Sequence, residues 1–301
     1  MSSSHDDYIA RATAREGRVR AFAIRSTGVV AELAARHQTY PAVTAGLGRL
    51  ASGALILGIM LKEKDQLVTI RLRGDGPAGT LLVTANGQGE VRGLVSNPQP
   101  DVDQVRNGKL NVAGALGRHG QLTVTRDMGM RHPYSSTVAM VSGEVGEDLA
   151  YYLTRSEQVP SAVGIGVFVR ADTSVEAAGG YIVQLLPGLS DDEVSDIEAR
   201  IASLPHPTTM LRSGDSPEDI LGRIFPEGYE LLDRVPVRFH CPCSRDRAER
   251  ALLLLGSEAL VEMRDEALAR GHTEAVCQFC AAGYRFSTAD IDDLIQQARA
   301  A

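Results

Sequence analysis

HCPCS, residues 240–244, and VCQFC, residues 276–280, hold all four cysteines of a 301-residue chain. Cys241 and Cys243 form one close pair, Cys277 and Cys280 the other. Zinc prefers four tetrahedral ligands, and thiolates at about 2.3 Å make closed structural sites. Each pair offers two ligands from one tight turn, so little chain entropy is lost per ligand, and the segment between the pairs can bring the turns together. Cys-x-x-Cys is a common zinc knuckle; Cys-x-Cys is rarer and therefore more informative. One zinc ion held by Cys241, Cys243, Cys277 and Cys280 is the expectation. His240 and His272 stand close in sequence, but four thiolates already close a tetrahedron, so the histidines are expected to orient or solvate the site.

Outward from the thiols, Ser244 can cap a helix over RDRAERALLLL that Gly256 ends, and Ser257 can cap a second, EALVEMRDEALAR, that Gly271 ends. TEAVCQFCAAGYRFS reads as a hairpin with the second pair at its turn, and ADIDDLIQQARA as a closing helix. Upstream, LSDDEVSDIEARIASL begins with a capping box of Ser190 and Glu193, and SPEDILGRIF has Ser216 as cap with Pro217 in the first helical position. These helices read as a linker module with a small core of its own that could open before the rest. Earlier still, LVTIRLRG, TLLVTANG, GEVRGLVS and QLTVTRDMG alternate apolar and polar residues, the pattern of an antiparallel meander. Helical pattern returns at 146–158, and VGIGVFVRA and GGYIVQLLPG are two more strands. Residues 18–36 give a strand, a turn and an apolar run that fits either strand or helix.

The expected fold is α+β. It has an N-terminal mixed domain with a largely antiparallel sheet and packed helices over residues 1–187, a helical linker over 188–235, and a small C-terminal zinc module over 236–301. Residues 47–61 are the longest apolar segment; too short to span a bilayer, and carrying Arg49, they read as a buried core helix.

Composition narrows the function. The formal net charge of -7 argues against a surface built to neutralise phosphates or to sit on anionic lipid, so neither nucleic acid nor membrane is an expected partner. The first twenty residues interrupt any signal-peptide pattern with charges, which points to a reducing, cytosolic compartment; resting disulfides are disfavoured there. GDGPAG, residues 74–79, matches G-x-G-x-x-G but is followed by a strand, and reads as a hairpin turn. The zinc deaminase pattern fails because Cys243 is followed by SRD, with no second cysteine in register. RDMGMRHPYSS, 126–136, reads as a structural loop.

Zinc-bound thiolates stay deprotonated and remain nucleophiles, so hypochlorous acid or peroxide can oxidise them. Arg245 and Arg247, just past the first pair, are expected to stabilise thiolate charge. Cysteines two or three positions apart can approach bridging distance. Structural zinc is worth on the order of 10 kcal/mol of folding free energy, and a module of about 60 residues has little core to replace it.

FHCPCSRDR with LLLLG, VCQFCAAGYRF, RDMG, PYSS, SGEVGEDLAYYLTRSEQ and RLRGDGP together resemble the redox-regulated 33-kilodalton heat-shock chaperone family over nearly the whole chain. The resemblance implies a cytoplasmic, ATP-independent holdase rather than an enzyme, inactive when reduced with zinc on the four cysteines. It also implies that oxidation pairs Cys241 with Cys243 and Cys277 with Cys280, releases zinc and unfolds the linker, and that the active form is a homodimer binding unfolding client proteins. Two other readings stay open from the residues alone: a binding module whose zinc is purely structural, and a dithiol oxidoreductase acting through CQFC.

Overall fold

A computed structural model of the chain describes residues 6–106 and 108–300. The chain divides into two compact units between His240 and Cys241. In the first unit the elements run β1 (Tyr8–Ala14), β2 (Val19–Arg25), α1 (Thr27–His37), α2 (Pro41–Ile59), β3 (Leu67–Gly74), β4 (Thr80–Asn86) and β5 (Glu90–Val95). There follow β6 (Val105–Arg106), β7 (Lys109–Leu110), α3 (Val112–Leu116), β8 (Gly120–Asp127), β9 (Tyr134–Ala139), α4 (Gly146–Arg155), β10 (Ser161–Val169) and β11 (Val175–Leu185). Next come α5 (Asp191–Ser203), α6 (Pro207–Arg212), α7 (Pro217–Ile224), β12 (Glu230–Pro236) and β13 (Arg238–Phe239). The second unit holds α8 (Arg245–Leu253), α9 (Ser257–Arg270), β14 (Thr273–Val276), β15 (Gly283–Phe286) and α10 (Thr288–Ala300).

The expected α+β class holds, with antiparallel pairing dominant. One sheet has the order β10-β11-β2-β1-β12 and the other β13-β5-β4-β3-β8-β9, in which the short β13–β5 pair is parallel. The meander expected over residues 67–127 is thus a correction: β3, β4 and β5 follow in order, but β8 returns to the opposite edge of β3, with Leu67 facing Asp127 and Gly74 facing Gly120. The crossover through α3 carries it there. The run that fitted either strand or helix is α1.

Helix α2 is the expected core helix, beginning earlier than residue 47 because Pro41 supplies a preset first turn. It packs against strands of both sheets, so no face needs to be polar, and the span is 94% buried. The GDGPAG stretch is the β3–β4 turn, and its glycines answer to crowding. A Cβ on Gly74 would stand 1.9 Å from the Leu116 carbonyl oxygen, and Asp75 Oδ1 accepts from the backbone N–H of Arg118 and His119 at 3.0 and 3.2 Å. Backbone cannot retreat as a side chain can, so Gly74→Ala is expected to destabilise the first unit by about 3 kcal/mol. A urea midpoint unchanged from wild type would contradict this.

The stretch 188–235 has no core of its own, contrary to the sequence expectation. Ile197 of α5, Met210 and Leu211 of α6, and Ile220, Leu221 and Ile224 of α7 are buried in one cluster with Ala10, Ala12, Ala21, Tyr181 and Val183 of the first sheet. Alanines on that sheet face let the helices approach closely. Polar pins flank the contact: Tyr8 Oη donates to Glu218 at 2.6 Å, Arg15 meets Asp196 at 2.8 Å, and Arg18 meets Glu193 at 3.0 Å. Both expected caps are present, Ser190 with Glu193 and Ser216 with Asp219. The exposed strand β12 then adds to the edge of β1, pairing Tyr8 with Pro236.

Candidate metal centre

The two cysteine pairs sit on turns whose shapes follow from their neighbours. After Cys241-Pro-Cys243, the Ser244 hydroxyl accepts the Arg247 N–H at 3.3 Å and starts α8 as expected. Helix α9 has Gly256, not Ser257, at its cap position, because φ of +85° there suits only glycine. The hairpin of β14 and β15 pairs Val276 with Gly283, and Cys277 to Ala282 form its turn. Cys277 O accepts from Ala281 N at 2.8 Å and Cys277 N donates to Ala282 O at 2.9 Å. Ala281 takes φ of +57°, a conformation costing a residue with a Cβ about 1 kcal/mol.

Under this hairpin lies a small core: Leu252, Leu260, Phe286, Ile291, Leu294 and Ile295. Ser287 and Asp290 cap α10 reciprocally. The run LLLL is not helical throughout; α8 ends at Leu253, and Leu254 and Leu255 face solvent.

All four Sγ atoms lie within 4.8 Å of one another. Cys241 and Cys277 approach to 3.8 Å, Cys243 and Cys280 to 3.2 Å, and none is in a disulfide. A tetrahedron with metal–sulfur bonds of about 2.3 Å has edges of about 3.8 Å, so the four sulfurs are close enough to bind a metal ion, consistent with zinc. Neither His240 nor His272 belongs to it. Cys280 is the most enclosed sulfur, at 4% exposure, and burial pushes its thiol up. Cys243 goes the other way, to about 7: desolvation opposes ionisation, but hydrogen bonds from the Tyr284 hydroxyl and the other thiols outweigh it. Four sulfurs this close cannot all carry charge without a cation among them, which is the chemistry a zinc ion would supply.

Arg245 does not serve the thiolates as expected. Its guanidinium meets Glu249 and Asp290, each at 3.0 Å, donates to the Arg285 carbonyl and lies over the Phe286 ring, so it pins α8 to α10 and the hairpin. The residue that does reach a sulfur lies within VCQFCAAGYRF but has no role assigned from the sequence: Tyr284 Oη donates to Cys243 Sγ at 3.1 Å. A signal was available as alternation in β15, which turns Tyr284 and Phe286 to one face while Gly283 and Arg285 are exposed.

A two-sheet α+β unit followed by a small module built on four converging thiols defines a protein with an appendage whose cysteines lie close enough to hold a metal ion. The family model described as Hsp33 protein matches residues 7–287. A 33 kDa chaperonin of Bacillus subtilis is 44% identical over 97% of this chain and 99% of its own length, and that of Geobacillus sp. (strain WCH70) is 44% identical over 98% and 99%. The crystal structure of a 33 kDa chaperonin from Thermotoga maritima superposes with a TM-score of 0.91 at 36% identity, covering 99% of this chain and all of that one. The chain belongs to the Hsp33 family, a family of chaperones.

Proposed function

We propose that the protein is a redox-regulated, ATP-independent holdase of the cytoplasm, held inactive while one zinc ion is bound by Cys241, Cys243, Cys277 and Cys280. The observation that carries this reading is the convergence of those four sulfurs in a module with a core of only a few buried side chains. Bound there, zinc would crosslink the two turns and neutralise thiolate charge. Oxidation by two equivalents of peroxide takes four thiolates and four protons to two disulfides and four waters. Closure within each pair, Cys241 with Cys243 and Cys277 with Cys280, leaves no thiolate for the metal. The module then loses its crosslink, segment 188–235 is released, and the apolar sheet face it covers becomes available to unfolding clients. Homodimerisation of the oxidised form belongs to the same reading.

Light scattering of a thermolabile client such as citrate synthase tests it. Oxidised, zinc-free protein is expected to keep the client in solution and reduced, zinc-loaded protein to let it aggregate. Equal behaviour of the two forms would remove the switch. Four thiols lost together with one metal ion on peroxide treatment is the expected stoichiometry; retention of the ion would leave zinc a purely structural role.

A further inference from the structure

We infer that Tyr284 is a positioning residue that selects among the four sulfurs, restraining Cys243 as a nucleophile through its hydroxyl. The inference rests on the reading of the cluster as the reactive centre and deepens it. Where a cation already holds the four sulfurs as thiolates, a hydrogen bond to one of them no longer changes its ionised fraction; it draws density from the lone pair that attacks an electrophile and must be displaced on the way to the transition state. Tyr284 Oη is 3.1 Å from Cys243 Sγ, held there by the hairpin register that sets Tyr284 opposite Ala275 and by the buried Phe286 two residues on. Cys277, partly covered like Cys243, lies at the turn itself, where its thiol faces that of Cys241 at 3.8 Å.

The consequence for an oxidant of the peroxide class is a difference in rate. A sulfur takes one oxygen, giving a sulfenic acid and hydroxide; a second thiolate then displaces hydroxide to form the disulfide. Tyr284 slows the first of these steps at Cys243 and leaves it intact at Cys277. Protein–metal sites are commonly tuned by such outer partners, whose removal shifts behaviour on the order of tenfold.

The test needs no oxidant and so stands apart from the switch. Reduced full-length protein, as isolated with its metal, is treated with iodoacetamide, and each cysteine's rate is followed by peptide mass spectrometry. Tyr284→Phe keeps the ring and removes the donor; Cys243 is expected to react on the order of tenfold faster relative to Cys277. Replacing Tyr284 by 3-fluorotyrosine, a stronger donor of nearly the same size, is expected to slow Cys243 instead, a graded response that loosened packing would not produce. Circular dichroism and zinc content of both variants establish that the fold is kept, and the fluorotyrosine protein decides the matter if the Phe variant loses either. An unchanged Cys243-to-Cys277 ratio in the folded variants would overturn the inference. A peroxide arm reports separately on the switch: zinc retained there, with the alkylation ratio shifted, would sink the proposed function and keep the role of Tyr284.

Discussion

Stripping zinc from the reduced protein with a strong chelator is expected to unfold residues 241–300 while α2 and β3 of the first unit stay folded. The second unit buries Leu252, Leu260, Phe286, Ile291, Leu294 and Ile295 with few supporting residues. A core that small supplies no more than about 3–5 kcal/mol, whereas ligation by four thiolates is worth on the order of 10 kcal/mol or more. Without the metal, too little remains to offset conformational entropy. The first unit depends on nothing of the kind: α2 and both sheets bury an extended apolar cluster with no metal ligand in it. Hydrogen exchange should therefore show protection lost across α8, α9, the hairpin and α10, and kept in α2 and β3. Sustained protection of the α10 amides without metal would refute the account, as would loss of protection in α2 and β3 along with the second unit. Cys280→Ser is expected to mimic the chelator, since the most enclosed thiolate cannot be replaced by water.

The second unit was legible in the sequence because its signals are local. Ser244 and the hairpin turn each act within a few residues, and paired cysteines announce their partners by spacing. The first unit hid what depends on distance. Strand β1, YIARATA, is rich in alanine, which carries little strand preference; its inward alanines are small because helices from 188–235 pack on them. Strand β12, ELLDRVP, is exposed along most of its length and gives no alternation to read, since a sheet edge pairs by backbone. The place of β8 beside β3 likewise follows from a crossover, not from any motif in either strand. Tyr284 could be put on the inner face of its strand, but its partner Cys243 lies 41 residues away, so only the folded module joins them.

Asp148→Ala is expected to cost the first unit about 3–5 kcal/mol, the range for leaving buried polar partners uncompensated. Asp148 is fully buried near the start of α4, and its carboxylate accepts four backbone N–H groups. Oδ1 takes Val141 at 2.7 Å and Ser142 at 3.1 Å; Oδ2 takes Gly143 and Val145, each at 3.1 Å. The loop it gathers includes Val145 at φ of +63°, a conformation that a β-branched residue adopts only when its surroundings hold it there. Helix α4 is docked by the same anchor: Leu149 follows Asp148 and packs where a Cβ on Gly53 of α2 would stand 2.5 Å away. Alanine leaves the four donors without an acceptor and removes what offsets the strain at Val145. Asparagine in its place would keep one oxygen but turn an amide toward two N–H groups, donor facing donor, so Asp148→Asn should recover little of the loss. The chain has no tryptophan, so urea unfolding is best followed by tyrosine fluorescence, to which the buried Tyr152 of α4 contributes. A midpoint for Asp148→Asn equal to wild type would show that charge and the second acceptor are dispensable, and the four-donor cradle would lose its place in the stability of this unit.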